Sequence, residues 1–377
     1  MAAAVAVGAL AGCSKSSQTK DTEAAATEAA DTATEKSDAA GETKSEAAAD
    51  APSVAILLNG TLGDKAFFDS AANGGKMMQE QLGCNYKVVE MTYDETKWMP
   101  TLIDFSEDDD YDIIIVGTWQ MSEKLQEVAP QYPDKKYILF DSSVDYDADD
   151  ESNVYSIEYK QNECSYLAGA LAAMTTKTGT IGFIGGMENT VIDDFMAGYI
   201  QGAVDTNPDI KVLTAFVGNF SDSARAKELT LAQINQNADI VYQAASTAGL
   251  GVIDACLEKG KWCIGVDSDQ AASFTESDPA KANVILTSAL KRVDESTFQA
   301  VEKAFGAGLA YGQRVVMGLK EHCVGLAKNE IYLKNVSEEN QKKIDELEQK
   351  IINGDIVVDT AFGKTTDEIQ AIKDSVK

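Results

Sequence analysis

Short apolar runs of strand length alternate with longer amphipathic segments in this chain, beginning near residue 53. The runs are nearly continuous and rich in Val and Ile, which is typical of parallel strands covered on both faces. The predicted strands are Val54–Leu58, Tyr86–Met91, Ile113–Val116, Tyr137–Phe140, Val154–Tyr159, Thr180–Ile184, Lys211–Val217, Ile240–Gln243, Trp262–Val266 and Val284–Ser288. The predicted helices between them include Ala66–Leu82, Glu163–Met174, Val191–Asn207, Ser223–Gln236 and Leu250–Glu258.

The repeated strand–helix–strand order predicts an α/β fold with doubly wound, mostly parallel sheets. The predicted strands form two series of similar length, which indicates two similar lobes rather than one long sheet. In such folds ligands bind beyond the carboxyl ends of the strands. We therefore expect a two-lobed clamp with a ligand cleft between the lobes.

The first 52 residues lack this pattern and predict an anchor followed by a tether. An apolar run from Ala2 to Leu10 is too short to span a bilayer but has the length of a signal-peptide core. The sequence Leu10-Ala11-Gly12-Cys13 that ends this run resembles the lipobox of bacterial lipoproteins, which implies that Cys13 is lipidated. Residues 14–52 contain no aromatic residue, Leu, Ile or Val, and this composition predicts a disordered tether. The folded domain is expected at 53–377.

Charge and reactive residues exclude several classes of function. The formal net charge of −29 argues against nucleic acid as a partner and against a polybasic membrane-binding surface. The cysteines after Cys13 lack metal-binding spacing and are predicted to be buried thiols. The alternative is disulfide pairing, for example between Cys256 and Cys263. His322 is the only histidine, so neither a Ser-His-Asp triad nor a histidine-rich metal site can be assembled. We predict a protein that is not an enzyme and has no metal or cofactor.

Candidate ligand contacts follow the predicted strands of the first lobe. Asn59 opens a loop that runs to Phe67 and Phe68, and the glycines of this loop permit close backbone approach. One of the two rings is expected in the core, while the other is expected to face the cleft and stack on a planar ligand. Trp119 and Asp141 stand at the ends of the third and fourth predicted strands and are further candidates.

The second lobe contributes candidates of a different chemistry. Gly249 lies in a GxG turn that lacks the rest of the dinucleotide fingerprint, so a nucleotide cofactor is not predicted. Asp267 ends a buried strand, where it can accept hydrogen bonds from the vicinal hydroxyls of a sugar, and the alternative for this segment is helix capping by Ser268 or Asp269. Lys291 is a candidate donor to the same ligand or an ion partner of Asp267, and an exposed lysine is the alternative.

An ordered series of motifs resembles the basic membrane protein family of ABC-transporter solute-binding lipoproteins, the PnrA-like nucleoside receptors. The resemblance covers nearly everything from Val54 to about Val358. Its motifs are Leu62-Gly63-Asp64-Lys65-Ala66-Phe67, Tyr166-Leu167-Ala168-Gly169, Gly185-Gly186-Met187, Phe195-x-x-Gly-Tyr-x-x-Gly202, Gly249-Leu250-Gly251-Val252, Ile264-Gly265-Val266-Asp267-Ser268-Asp269-Gln270 and Thr287-Ser288-Ala289-Leu290-Lys291.

The resemblance implies a type I periplasmic-binding-protein fold with a nucleoside bound between two lobes joined by crossover strands. The expected first lobe is at about 53–158 and 288–320, and the second at about 159–287 and 321–377. Phe67 is then the stacking ring of the first lobe, within a loop whose Asp64 is another candidate contact. Asp267 and Lys291 contact the ribose, and Gly249 lies against the sugar. The second ring comes from Phe195 or Phe220.

The chain departs from the family pattern at the base-binding part of the site. Phe68 replaces the Asn that family members carry after the stacking ring, and the Asp usual near the end of the first strand falls on Leu58 or Asn59. Because those polar groups read the purine edge in the family, a pyrimidine nucleoside or a larger ligand such as riboflavin is an alternative. The resemblance further implies a monomeric receptor, lipid-anchored outside the cytoplasmic membrane, that serves an ABC permease and ATPase or acts as a sensor.

Overall fold

The computed structural model describes residues 51–147 and 152–376. The predicted signal segment with Cys13, and residues 14–50 of the predicted tether, lie outside the described residues. The strands are β1 Ser53–Leu58, β2 Asn85–Glu90, β3 Ile113–Gly117, β4 Lys136–Phe140, β5 Val154–Tyr159, β6 Thr180–Gly185, β7 Lys211–Phe216, β8 Ile240–Ala244, β9 Trp262–Asp267, β10 Ile285–Lys291, β11 Gln313–Met317 and β12 Val324–Leu326.

Helices connect these strands in the expected alternation. The helices are α1 Phe67–Leu82, α2 Glu95–Glu107, α3 Trp119–Val128, α4 Gln161–Thr175, α5 Thr190–Thr206, α6 Ser223–Asn235, α7 Gly249–Lys259, α8 Gln270–Phe274, α9 Pro279–Ala282, α10 Val293–Phe305, α11 Glu330–Asn335, α12 Glu338–Asn353 and α13 Thr366–Asp374. Every predicted strand is present, which confirms the α/β alternation inferred from the apolar runs.

Two six-stranded sheets of corresponding strand order form the two lobes. The first sheet has the order β2-β1-β3-β4-β5-β11, and the second has the order β7-β6-β8-β9-β10-β12. All pairings are parallel except that of β10 with β12. In each sheet the strand order reverses beside the first strand of the lobe, and such a switch point is where ligands bind in open α/β sheets.

The chain crosses between the lobes three times, at β5–α4, β10–α10 and β11–β12. The second crossing follows Lys291, because β10 stays in the second sheet through this residue rather than leaving it near residue 288. The strands β11 and β12 were absent from the predicted set. Their sequences gave little signal, since β11 is an edge strand with mostly exposed side chains and β12 has three residues.

Helices α4 and α5 pack unusually closely in the second lobe. A Cβ on Gly198 would overlap the backbone of Asn162, and a Cβ on Gly202 would overlap the carbonyl oxygen of Tyr166. Gly169 meets the backbone of Tyr199 from the opposite helix in the same way. The glycines of these two family motifs therefore serve helix packing rather than a ligand contact.

This packing predicts that Gly202→Ala destabilises the protein by about 1–3 kcal/mol or more, because an added methyl group must displace backbone rather than a flexible side chain. Urea unfolding followed by circular dichroism measures the change. Gly325→Ala is the matched control, since a Cβ on Gly325 meets no atom within 4 Å. Equal stability of the two variants would contradict the close packing of α4 against α5.

Candidate functional site

A cavity lies between the lobes at the carboxyl ends of both sheets. The space not filled by atoms is about 630 Å³, a volume that includes open solvent at the mouth of the cavity. Nine of the eleven predicted contact residues line it: Asn59, Phe67, Phe68, Trp119, Asp141, Phe195, Phe220, Asp267 and Lys291. The lining is completed by Tyr93, Thr118, Gln120, Asn189, Val191, Ile192, Ala244, Ala245, Ser246 and Val266. The two remaining predicted residues, Asp64 and Gly249, do not line it.

The side chain of Lys291 occupies the centre of the polar part of the cavity. It is 2% exposed, and its Nζ donates a 2.7 Å hydrogen bond to Oδ1 of Asp141 in the first lobe. Oδ1 of Asp267 in the second lobe lies 3.8 Å from the same nitrogen. The ammonium also faces two rings, with its Nζ 4.7 Å from the centroid of Phe67 and 5.1 Å from that of Phe195.

Asp267 has a carboxylate oxygen, Oδ1, that forms an ion pair with Lys291 but no hydrogen bond with the described residues. This oxygen is buried. Burial raises the pKa of Asp267 to about 7, with Lys291 lowering it and Asp141 raising it further. Burial likewise raises the pKa of Asp141 despite its bond to Lys291. Two carboxylates thus share one ammonium, and a ligand that brings hydrogen-bond donors would satisfy the carboxylate that is left over.

The ammonium itself stays charged. Burial lowers the pKa of Lys291, but the two neighbouring carboxylates outweigh this effect and raise the pKa above its ordinary value. The alternative of an exposed lysine is wrong, because Lys291 is fully enclosed at the end of β10. Its ion partnership therefore includes Asp141 as well as the predicted Asp267.

Both adjacent phenylalanines line the cavity, so the expected division into a core ring and a cleft ring is wrong. The Phe68 ring packs over Gly60, where a Cβ would overlap it, and stands edge-on to Phe67 at a centroid distance of 5.2 Å. Phe67 also contacts the ring of Phe140 at 5.5 Å. Phe68 thus fills space beside Phe67 that the usual Asn would leave for polar contacts.

The rings of the second lobe differ in their surroundings. Phe195 is fully buried, and its ring stands edge-on to Tyr242. Phe220 is half-buried and covers Gly186, leaving part of its surface uncovered by protein. Trp119 is the most exposed side chain of the lining, at 47%, and stands at the mouth of the cavity.

Asp64 organises the loop before α1 instead of lining the cavity. Its carboxylate accepts hydrogen bonds from the backbone N–H groups of Ala66, Phe68 and Asp69. It also accepts a 2.9 Å bond from the hydroxyl of Ser246 in the second lobe. Burial raises the pKa of Asp64, and these hydrogen bonds partly oppose that rise. This residue fixes the position of Phe67 and links the lobes.

Further hydrogen bonds join the lobes along the same edge. Ser268 donates to the carbonyl oxygen of Ala66 at 3.0 Å, and the hydroxyls of Tyr93 and Thr247 lie 3.3 Å apart. Together with the Asp64–Ser246 and Asp141–Lys291 bonds, these contacts hold the lobes closed over the cavity. Gly249 lies behind this edge, where its Cα packs against the side chain of Gln243.

Strained backbone accumulates at the strand ends that form the cavity. Thr118, Asp141, Ser246 and Asp267 have φ angles of 74°, 64°, 48° and 62°. Non-glycine residues rarely adopt this left-handed conformation, which clusters at functional sites. Asp267 ends β9, Thr118 and Asp141 directly follow β3 and β4, and Ser246 lies two residues after β8, so all four side chains stand at strand ends that line the cavity.

Several lining residues were missed by sequence reasoning. Thr118 and Gln120 flank the predicted Trp119, and their position after β3 was the available signal. Ser246 lies two residues after the end of β8. Asn189 caps α5, where its Oδ1 accepts the N–H groups of Val191 and Ile192. A polar residue at a helix start is indistinguishable in sequence from an ordinary cap.

The described residues contain neither a cluster of His, Cys, Asp and Glu suited to a metal ion nor a helix long and apolar enough to cross a membrane. The five cysteines within them are buried free thiols, as predicted, and Cys256 and Cys263 are not joined.

Comparison of the fold defines the class of protein. A solute-binding protein of an ABC transporter system from Aeropyrum pernix superposes with a TM-score of 0.74 at 25% identity, covering 86% of this chain and 99% of that one. A second such protein, from Conexibacter woesei, gives 0.67 at 19% identity over 83% and 100% of the two chains. The two-lobed architecture is that of solute-binding proteins of the periplasmic-binding type, which confirms the predicted fold class.

The sequence defines the family within this class. Residues 51–361 match the family described as ABC transporter substrate-binding protein PnrA-like. Basic membrane protein A of Borreliella burgdorferi is 32% identical over 81% of this chain and 87% of its own length. The ABC transporter nucleoside-binding protein BmpA of Lactococcus lactis is 30% identical over 78% of this chain and 85% of its own length. The chain belongs to the PnrA-like family of ABC-transporter substrate-binding proteins.

The raised pKa of Asp267 predicts that Asp267→Asn stabilises the ligand-free protein at pH 8. The folded state holds this proton more tightly than the unfolded chain, so the native carboxylate costs stability progressively as pH rises from its ordinary pKa of 3.8 to about 7, and the full cost is present above pH 7. Thermal unfolding of ligand-stripped protein should show a higher midpoint for the variant at pH 8 and a shrinking gain toward pH 5.

Asp104→Asn is the matched control, because Asp104 is exposed on α2 and its replacement removes the same charge from the surface. If Asp267→Asn is less stable than wild type at pH 8, the prediction is contradicted. The negative charge of Asp267 would then stabilise the fold through its ion pair with Lys291.

Proposed function

We propose that this chain is an extracytoplasmic receptor that captures a nucleoside between its lobes and delivers it to an ABC permease, with a purine nucleoside favoured. Membership of the PnrA-like family supports the transport role, and the name of the Lactococcus relative supports the ligand class. In this proposal the protein acts as a monomer with a permease and an ATPase as partners. Only the lipid on Cys13 contacts the outer face of the cytoplasmic membrane.

The observation that carries the proposal is the carboxylate of Asp267, whose buried Oδ1 lies 3.8 Å from the ammonium of Lys291 and forms no hydrogen bond with the described residues. A ribose presents two vicinal hydroxyls that donate to a carboxylate, while their oxygens accept from an ammonium. The donors of such a ligand would satisfy the excess buried charge of the cavity. Asp141 keeps its bond to Lys291 and orients the ammonium toward the same sugar.

Aromatic surface on both sides of the cavity suits a nucleobase. Phe67 comes from the first lobe, and we assign the second stacking ring to Phe220 rather than Phe195. Phe220 is half-buried and has surface left for a base, whereas Phe195 packs against Tyr242 and faces the Lys291 ammonium. Stacking of a base on an aromatic side chain contributes about 1–3 kcal/mol.

Lobe closure links capture to delivery. The bonds of Asp64 with Ser246 and of Asp141 with Lys291 form between residues of different lobes, so opening the cleft breaks them. A ligand that contacts both lobes favours the closed state by its differential affinity for it. The permease would then receive only the closed, loaded receptor.

Isothermal titration of ligand-stripped protein with purine nucleosides, pyrimidine nucleosides and riboflavin tests the ligand class. The proposal expects binding of nucleosides and a rise in thermal midpoint with their concentration. Binding of riboflavin alone would show that the site takes a ribityl ligand rather than a nucleoside. Binding of none of these compounds would refute the proposed ligand class. Loss of nucleoside uptake in cells that produce only a Cys13→Ala chain would separate a tethered transport receptor from a sensor.

The ring assignment predicts that Phe67→Leu and Phe220→Leu each weaken nucleoside binding by roughly 5- to 100-fold, because an apolar side chain remains but the stacking face is lost. Calorimetric dissociation constants measure the effect. Phe305→Leu is the matched control, since Phe305 is an exposed ring on α10 outside the cavity. Wild-type affinity in Phe220→Leu, with a loss in Phe195→Leu, would instead make Phe195 the second ring.

A further inference from the structure

The carboxyl-terminal helix α13 places a buried lysine behind one wall of the cavity. The side chain of Lys373 is 9% exposed, and its Nζ donates a 2.6 Å hydrogen bond to Oε1 of Glu188. Oδ1 of Asp193 lies 3.8 Å from the same nitrogen, and the centroid of the Phe216 ring lies 4.5 Å from it. This ammonium thus contacts two carboxylates and one aromatic face of the second lobe.

The two carboxylates flank the segment that forms this wall. Glu188 stands in the loop between β6 and α5, and Asp193 lies in the first turn of α5. The residues between them that line the cavity are Asn189, Val191 and Ile192. Lys373 does not line the cavity itself, so it contacts residues 188–193 from outside.

The ring of Phe216 connects the ammonium to the same wall. A Cβ on Gly185, the last residue of β6, would lie 2.6 Å from this ring and 2.8 Å from the side chain of Ile192. Phe216 and Ile192 therefore pack over the same glycine. The cation–π contact of Lys373 reaches a ring that packs next to a cavity-lining side chain.

Helix α13 is itself attached to the second lobe at both ends of its buried face. The side chains of Ile369 and Val376 are buried, and the carbonyl oxygen of Val376 accepts the N–H of Val212 at 3.1 Å. Val212 belongs to β7, the edge strand of the second sheet. The helix begins after residue 361, where the match to the PnrA-like family ends. A helix fixed in this way can hold Lys373 against the wall.

We propose that Lys373 is a positioning residue of the ligand cavity and that its contacts with Glu188 and Asp193 fix the wall against which the ligand packs. This inference rests on the proposed function for the ligand, whereas the fixed wall is also a property of the free protein. A wall that is already held in its bound conformation lowers the cost of binding, since fewer groups must be immobilised when the ligand arrives.

Two variants remove the contact from opposite sides. Lys373→Met removes the ammonium, and Glu188→Gln removes the charge of a side chain that is 62% exposed, so the second variant is expected to fold even if the first does not. Lys328→Met is the matched control. Lys328 also pairs with two carboxylates of the second lobe, those of Asp345 and Glu348, and none of the three residues lines the cavity.

Calorimetric titration with adenosine and with uridine measures the effect on binding. Glu188→Gln should weaken binding by at least about threefold and Lys373→Met by at least as much, and the double variant should lose no more than about twofold beyond Lys373→Met, because both changes act on one contact. The control should bind within about twofold of wild type. Wild-type affinity in both single variants, or an equal loss in the control, would overturn the positioning role.

Amide hydrogen exchange of the ligand-free protein tests the wall without a ligand. The N–H groups of Val191 and Ile192, which donate to Oδ1 of Asn189, should exchange at least about threefold faster in Glu188→Gln than in wild type, with the amides of β3 unchanged. Unchanged exchange at these two amides would overturn the inference. If wild type binds neither nucleoside while the two amides respond, the proposed function fails and the assignment of Lys373 to the cavity wall stands.

Discussion

The ammonium of Lys291 is buried where the two lobes meet, and three kinds of contact converge on it. Asp141 binds it from the first lobe, Asp267 approaches it from the second, and the rings of Phe67 and Phe195 face it. A charge removed from water needs such partners, because an unpaired ammonium in the cavity would cost several kcal/mol. The position of β10, the closure of the cleft and the polarity of the cavity all depend on this arrangement.

Because one ammonium faces two carboxylates, the ligand-free cavity keeps an excess negative charge and a raised pKa at Asp267. The strained backbone at Thr118, Asp141, Ser246 and Asp267 adds to the cost of the empty site. Both features reduce the stability of the free protein and prepare the site for a ligand that supplies donors. A low stability of the empty closed state suits a receptor that must close on its ligand and release it to a partner, because the ligand then shifts the population toward the closed state.

The sequence was sufficient to predict ten of the strands, the two lobes and nine of the residues that line the cavity, because buried parallel strands leave continuous apolar runs and place polar residues at their ends. Asp64 and Gly249 were predicted to contact the ligand, but both contact other protein groups. Asp64 accepts the backbone N–H of Ala66, and Gly249 packs against the side chain of Gln243. The hydrogen bond from Nδ2 of Asn59 to Oγ1 of Thr118 could not be predicted, because it depends on the register between β1 and β3. The role of Asp141 as partner of Lys291 likewise follows only from the way the lobes close.

In the proposed receptor, the ionised carboxylate of Asp267 accepts hydrogen bonds from the hydroxyl groups of the ligand. Calorimetric titration of the stripped protein with adenosine between pH 5 and pH 8 tests it most directly. Because the pKa of Asp267 is about 7 in the ligand-free protein, affinity should rise by up to about tenfold per pH unit toward pH 7 and then level off. Asp267→Asn should bind more weakly and without this slope. A wild-type affinity that is independent of pH over the whole range would contradict the account.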